Sequence, residues 1–446
     1  MVVIMMAKNY NSEYLDNALS VLDACNPIQF RGRVTRVKGL LVESKGPNVS
    51  VGNICWIQTT TPGERKAAEV VGLNDDHILL MPFSDTQGIS SGCIVTTEKQ
   101  SLTLPVDEHL LGRVLDGYGK PIDGKGPIIA SQNVNINAVP PPALSRPNID
   151  KPLSTGIRSI DSLITCGEGQ RLGIFAGSGV GKSVLMGMIA RGSSADVNVI
   201  ALIGERGREV NEFITHSLGE EGLKRSVVVV VTSDQAAVLR IRGAQVATTI
   251  AEFFRDRGNK VVLMMDSITR VAMAQREIGL AVGEPPTTKG YTPSVFALMP
   301  RLLERTGMSD KGSITGFYTV LVENDDMNDP VADTVRSILD GHMVLSRRLA
   351  EQNHYPAVDV LQSVSRVMNQ IIDEKHLQAA YTLRDALATY QEAEDLINIG
   401  AYVKGNNPKI DFAIKYIEKI RTFLKQKIYE KAAYQDTLKQ LQTLFN

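Results

Sequence analysis

Residues 171–186, RLGIFAGSGVGKSVLM, constrain this chain more tightly than any other stretch. Leu172 to Phe175 has the composition of a buried strand. A glycine-rich turn follows, then Gly181-Lys182-Ser183, then an apolar-rich segment of helical character from Val184. Strand, glycine loop and helix in that order are the context a phosphate-binding P-loop requires. Gly177, Gly179 and Gly181 carry no Cβ, so the backbone through Ser178 and Val180 can curl tightly and turn its N–H groups toward phosphate oxygens. The helix start adds unpaired N–H donors and the positive end of a dipole. Lys182 has the reach for β- and γ-phosphates, and the Ser183 hydroxyl can coordinate Mg²⁺. The usual first glycine of the pattern is Ala176 here. Nucleotide binding is therefore the first expectation. An ordinary glycine-rich βα turn is the alternative, and the strand-and-helix context weighs against it.

A chain of 446 residues suggests about three domains. Its 43% hydrophobic and 22% charged residues fit a globular protein with sizeable cores. A net charge of −1 gives no global pull toward nucleic acid or membrane. No apolar run approaches the ~20 residues of a transmembrane helix. The opening MVVIMMAKNYN has no basic region before its apolar run, so a signal peptide is not expected. Cys25, Cys55, Cys93 and Cys166 are too scattered for CxxC chemistry and read as buried, reduced thiols of a cytosolic protein.

Along the chain, residues 8–26 have the spacing of an amphipathic helix, with Tyr14, Leu15, Ala18, Leu19 and Leu22 near one face. Packing on its own domain and docking to a partner explain it equally well. From 28 to 99, apolar runs (Val34–Val42, Val51–Ile57, Ala67–Leu73, Ile78–Pro82, Cys93–Thr97) alternate with turn residues, which predicts a small β-barrel. Arg31, Arg33, Arg36 and Lys38 fall in this region, but few aromatics interleave with them, so solvated strand faces explain them better than nucleic acid. Residues 100–150 read as a Gly- and Pro-rich connector, followed by Thr155-Gly156-Ile157-Arg158-Ser159-Ile160-Asp161. From 155 to 370, strand candidates (Leu172–Phe175, Val197–Ile203, Val227–Thr232, Val261–Met265, Ile314–Val322, His342–Leu345) alternate with helical segments such as Ala236–Arg257. Nearly continuous apolar strands in βα alternation predict a mostly parallel sheet covered on both faces, with functional residues at its carboxyl ends. After 371 the strands stop, and helices are expected over His376–Asn398 and Lys409–Lys427. The predicted division is 1–27, 28–99, 100–370 and 371–446.

Two further strand ends carry acids. Val261 to Asp266 is a buried run closed by a carboxylate, the kind that holds Mg²⁺ beside a P-loop, directly or through water. A helix N-cap aspartate would look the same. Val199 to Ile203 leads into Gly204-Glu205-Arg206-Gly207-Arg208-Glu209. Glu205 can orient and deprotonate an attacking water. Arg206 either holds that glutamate or senses phosphate, and a charged surface loop is the plain alternative for both.

The segments AGSGVGKS, LIGERGREV, LMMDSITR, AMAQREIGLAVGEPPTTKGYTPSVFALMPRLLERTG, DGHMVLSRRLAEQNHYPAVDVLQSVSRVM and DLINIGAYVKGNNPKID together resemble the flagellar and type III protein-export ATPases, relatives of the catalytic β subunit of rotary ATP synthases. The resemblance runs over residues 28–440 and is most specific over 155–370. It implies an α/β fold: a RecA-like P-loop ATPase core between an N-terminal β-barrel and a C-terminal helical domain, in subunits that form a homo-hexamer. It implies ATP and Mg²⁺ at Gly177, Ser178, Gly179, Val180, Gly181, Lys182, Ser183 and Val184, with metal ligation by Ser183 and Asp266. Glu205 resembles the family's catalytic glutamate and Arg206 its neighbour. Tyr355 is similar to the aromatic that stacks on adenine, and Arg366 resembles the arginine finger that enters a neighbouring subunit's site. Ala176 matches the export branch, and 371–446 contains no DELSEED-like acidic stretch of the synthase type. The implied partners are a stator-like regulatory protein, a central stalk-like protein, export chaperones and substrates, and the membrane export gate, with no nucleic acid. The implied location is cytoplasmic, at the inner face of the membrane. An injectisome ATPase, a rotary-synthase catalytic subunit, an RNA translocase and a non-catalytic nucleotide-binding subunit are the competing readings. The translocase would want basic and aromatic residues together in the barrel, and the non-catalytic subunit would lack Glu205.

Overall fold

The structure, a computed structural model, describes residues 30–97, 103–322 and 329–445 together with positions 15, 19 and 326. Apart from Leu15 and Leu19, the helix expected over 8–26 lies outside the described residues, as does Cys25. The chain divides into two compact units at Gln100.

In the first unit, β1 (Arg31–Lys38), β2 (Leu41–Lys45), β3 (Ile54–Gln58), β4 (Arg65–Asn74), β5 (His77–Pro82) and β6 (Ile94–Thr97) close into an antiparallel barrel in the order β1-β2-β5-β4-β3-β6. Closure leaves no unpaired edge. Val34, Val42, Ile57, Val70, Leu80 and Val95 fill the interior. Arg31, Arg33 and Arg36 are exposed, as solvated strand positions should be. The sequence suggested a single run over Val34–Val42. The structure divides it into β1 and β2 at a tight turn in which Gly39 takes φ +58°, a left-handed conformation that glycine adopts without strain.

The second unit is built on a sheet of β7 (Val114–Leu115), β8 (Arg171–Ala176), β9 (Val197–Glu205), β10 (Ser226–Thr232), β11 (Lys260–Asp266), β12 (Ser313–Leu321), β13 (Gly341–Leu345) and β14 (Val358–Ser365). Their order is β14-β13-β8-β12-β11-β9-β10-β7, with the two-residue Gly307–Met308 appended antiparallel to β12. The ladder is parallel except for the edge strand β14. In β9 every residue from Val197 to Gly204 is buried, the signature of a strand covered on both faces. Helices α1 (Lys182–Gly192), α2 (Ala237–Arg255) and α3 (Ile268–Val282) follow β8, β10 and β11. β7, inside the presumed connector, escapes sequence reading because two residues carry no period.

After the sheet come α4 (Glu374–Asn398), α5 (Pro408–Leu424) and α6 (Tyr434–Thr443). Asp373 caps α4 through the His376 N–H, and Asn407 caps α5 with Pro408 in its first turn. The sequence carried the second of these helices to Lys427. It ends at Leu424, with Lys425 in an extended conformation (ψ 135°). The residues beyond it spend their backbone groups on tertiary partners. Cys55, Cys93 and Cys166 are free thiols, and Cys55 and Cys166 are buried. Among the described residues no helix is long and apolar enough to cross a membrane.

Candidate nucleotide site

β8 ends at Ala176, and the loop that follows turns through left-handed backbone at Gly179 (φ +80°) and Gly181 (φ +92°) before α1 begins at Lys182. A Cβ on Gly179 would meet nothing within 4 Å, so conformation, not space, requires glycine there. Ser178, Gly179 and Ser183 are exposed while Val180 is buried, so the loop is anchored below and open above. The first turn of α1 begins at this loop, and first-turn N–H groups have no partner within a helix.

Three charged side chains meet where the strands end. The Lys182 ammonium bonds Asp266 Oδ1 and stands 3.5 Å from Glu205 Oε1. Asp266 is the last residue of β11 and is 2% exposed. Glu205 is the last residue of β9, with its side chain 15% accessible. Thr319, fully buried on β12 between those strands and β8, donates its hydroxyl to Asp266 Oδ1 at 2.7 Å and fixes that oxygen. Burial pushes the Glu205 carboxyl above its ordinary value. Lys182 opposes the shift, and a hydrogen bond with Glu209 adds to it. Two carboxylates thus share one ammonium. A phosphate that draws Lys182 toward itself leaves Asp266 in need of another cation.

Tyr355 lies over the loop: a Cβ on Gly181 would come within 3.5 Å of its ring. The ring borders a cavity of about 1020 Å³ whose walls come from the loop and α1 (Gly179, Val184, Met188), from Tyr355-Pro356-Ala357, and from residues 426–430. Concave, mainly apolar walls of this size suit a nucleotide base and ribose. Sequence reasoning did not find the third wall, nor Thr319 or Glu209. Residues 425–427 read as the end of a helix and 428–433 carry no motif, and a lone threonine in an apolar strand gives no signal.

Two expected residues are placed away from this cluster. Arg206 is 82% accessible and pairs with Glu209 at 3.4 Å, without touching Glu205. Arg366 is exposed just past β14. Its N–H donates to Asp340 O at 3.0 Å, and the Asp340 N–H in turn donates to Arg171 O. Arg171 opens β8 and the P-loop closes it, so Arg366 sits at the amino end of the sheet, about 20 Å from its own loop at ~3.3 Å per residue.

A phosphate loop at one strand end, acids at two others and an apolar pocket beside them define a P-loop ATPase. The nucleotide-binding domain of the ATP synthase alpha/beta family matches residues 156–365, and the β-barrel domain of that family matches 34–98. The T3SS EscN ATPase C-terminal domain matches 372–443. The flagellum-specific ATP synthase of Bacillus subtilis (strain 168) is 56% identical over 93% of this chain and 94% of its own length. The assembled ATPase EscN of the enteropathogenic E. coli type III secretion system superposes with a TM-score of 0.88 at 45% identity, covering 93% of this chain and all of that one. EscN in complex with its central stalk EscO superposes at 0.86, with 44% identity over 93% of this chain and all of that one. The chain belongs to the family of flagellum-specific and type III secretion ATPases.

Proposed function

We propose that the chain hydrolyses ATP to drive export of flagellar proteins, as a homo-hexameric ring whose catalytic sites are completed between subunits. The observation that carries the chemistry is the meeting of Lys182, Glu205 and Asp266 beneath an open phosphate loop. Gly177 to Ser183 bind the phosphates through backbone N–H groups and Lys182 leaves Asp266 for the β- and γ-phosphates. Glu205, as the carboxylate, takes the proton of the water that attacks the γ-phosphorus, while the bond from that phosphorus to the β–γ bridging oxygen breaks and ADP leaves. Tyr355 stacks on adenine, with Val184 lining the same cavity from the P-loop helix. Among the described residues no cluster of three or more His, Cys, Asp or Glu could hold a metal by itself. That fits Mg²⁺, which is usually held by one or two side chains together with substrate phosphates and water. Ser183 and Asp266 would hold it, and it would supply charge neutralisation for the phosphates. Arg206, solvent-exposed beside Glu209, is free to approach bound phosphate.

Arg366 at the amino end of its own sheet supports action on a neighbour's site. The assembled state of EscN supports the ring, and its complex with EscO supports a central stalk-like partner. A stator-like regulator, export chaperones and substrates, the membrane export gate and a cytoplasmic position at the inner membrane face go with the export reading. The division proposed is 1–27, 28–99, 100–370 and 371–446, and the family matches over 34–98, 156–365 and 372–443 support it.

Mixing Arg366→Ala with Lys182→Ala tests the ring. Each variant alone is expected to be inactive. Mixed rings contain interfaces with Lys182 on one side and Arg366 on the other, so part of the turnover returns. Mixed rings that form and stay inactive, while dilution with unsubstituted subunits restores rate in proportion, refute action between subunits.

A further inference from the structure

The segment Thr155 to Asp161, conspicuous in the sequence and unused by the chemistry above, lies against the residues that close the base side of the cavity. Arg158 reaches over 265 residues of sequence to Phe423 O, to which its Nε donates at 2.9 Å. The same guanidinium donates to Lys425 O and pairs with Glu430. The Arg158 backbone N–H donates to Gln426 Oε1 at 2.9 Å. Gln426, 5% exposed, returns its amide to Gly156 O and to Glu430 O, both at 2.8 Å. The Gln426 backbone N–H donates to Tyr355 O at 2.9 Å, so the fold of 425–430 and the place of the stacking aromatic are one structure.

A second arginine holds the other side. Arg191, in the last turn of the P-loop helix, donates to Ile428 O at 2.7 Å and places its guanidinium 5.3 Å from the centre of the Tyr429 ring. The two fastenings meet underneath: a Cβ on Gly156 would come within 2.9 Å of Gly192 O, at the end of that helix. Ile428 and Tyr429 are otherwise exposed, and α5 has already ended at Leu424. Nothing in 425–430 is regular structure, so these side-chain bonds fix its position.

We propose that Arg158 and Arg191 are positioning residues for nucleotide binding: together they clasp residues 425–430 as a strap that forms the base-side wall and sets nucleotide affinity without touching the phosphates. The proposal rests on the cavity being the ATP site. A guanidinium suits the task because its planar fork satisfies two carbonyls and a carboxylate at once, which an ammonium cannot reproduce.

The test is equilibrium binding of a fluorescent ribose-labelled ATP to the full chain, with KM and kcat for ATP measured alongside. Arg158→Ala is expected to weaken binding and raise KM about tenfold, equivalent to about 1.4 kcal/mol, while kcat at saturating ATP moves less than about threefold. Arg158→Lys, which recovers the Glu430 pair alone, restores part of the affinity. Arg191→Ala weakens binding by roughly fivefold, and the double variant falls well short of the product of the two, because both hold one strap. Should Arg158→Ala not fold, Glu430→Gln decides the matter with an expected loss of about threefold. Unchanged affinity in folded Arg158→Ala (or, in its place, Glu430→Gln), a loss of kcat at constant KM, or a double variant equal to the product of the singles overturns the proposal. Failure of the unsubstituted chain to bind the probe overturns the nucleotide reading itself, and the strap with it.

Discussion

On the phosphate side of the cavity, Gly179, Gly181, Lys182 and Ser183 come from one uninterrupted stretch, and the acids they face end neighbouring strands of the same sheet. On the base side, Tyr355 comes from a loop between strands, and residues 426–430 come from beyond two helices of the C-terminal part. The first wall is held by the covalent chain and by sheet register: Leu202 pairs with Asp266 and Glu205 with Thr232, so moving one acid means slipping the whole ladder. The second is held by side-chain hydrogen bonds to bare carbonyls, worth about 0.5–1.5 kcal/mol net for the Gln426 amide and about 1.5–3 kcal/mol for each charged guanidinium bond. A stiff wall suits charge, where small displacements change rate steeply. A wall held by a few separable bonds suits affinity, which an attached domain can then alter.

Substitutions on the two sides should therefore fail differently. The largest effect is expected at Lys182→Ala. It removes the phosphate contact and leaves the buried Asp266 and Glu205 without their ammonium, so both ATP binding and turnover should be lost in binding and phosphate-release assays. Turnover within tenfold of the unsubstituted chain would erase the distinction between the walls. Next, Glu205→Gln should keep ATP binding and lower kcat by about 10²–10⁴, the range of a positioned general base. Normal kcat in that variant would take Glu205 out of the mechanism. On the base side, Tyr355→Ala should raise KM by roughly tenfold, since stacking on one base is worth ~1–3 kcal/mol, and should spare kcat, with Tyr355→Phe near normal. A fall in kcat at constant KM would show that the two walls are not separable.

The smallest effect concerns pH. In the proposed mechanism Glu205 acts as the carboxylate, so kcat should fall as pH is lowered through its pKa. Burial holds that pKa above the ordinary glutamate value, with the hydrogen bond to Glu209 adding to the shift. Glu209→Gln removes a negative neighbour, which should move the acid limb of the kcat profile to lower pH with little change in its plateau. A limb that stays in place would exclude Glu209 from tuning the base.

The phosphate wall was legible in the sequence because its parts are local. Glycines, lysine and serine at fixed spacing after an apolar run, and carboxylates closing two other apolar runs, need only the rule that functional residues sit at the carboxyl ends of parallel strands. The barrel was legible as a class from short apolar runs between turn residues, although the Gly39 turn hid a hairpin inside what looked like one strand. Tyr355 and Arg366 had no local signal and came only with the family resemblance. The structure brings Tyr355 to the loop and sets Arg366 at the opposite end of the sheet.

What this sequence specified by itself is a glycine loop suited to phosphate, acids closing two other apolar runs, and α/β alternation between a β-rich start and a helical end. Those properties are written in nearest neighbours and in short periods. Tertiary structure alone decided that α5 stops at Leu424 and that residues 426–430 close a cavity. It also decided that Thr319 aims Asp266 and that Arg206 faces solvent beside Glu209. Helical spacing continues through Lys427, so no local preference ends α5. The ending is set by the Arg158 guanidinium and the Gly156 carbonyl, more than 260 residues away in sequence, which offer the backbone and side chains of 423–430 better partners than another helical turn would.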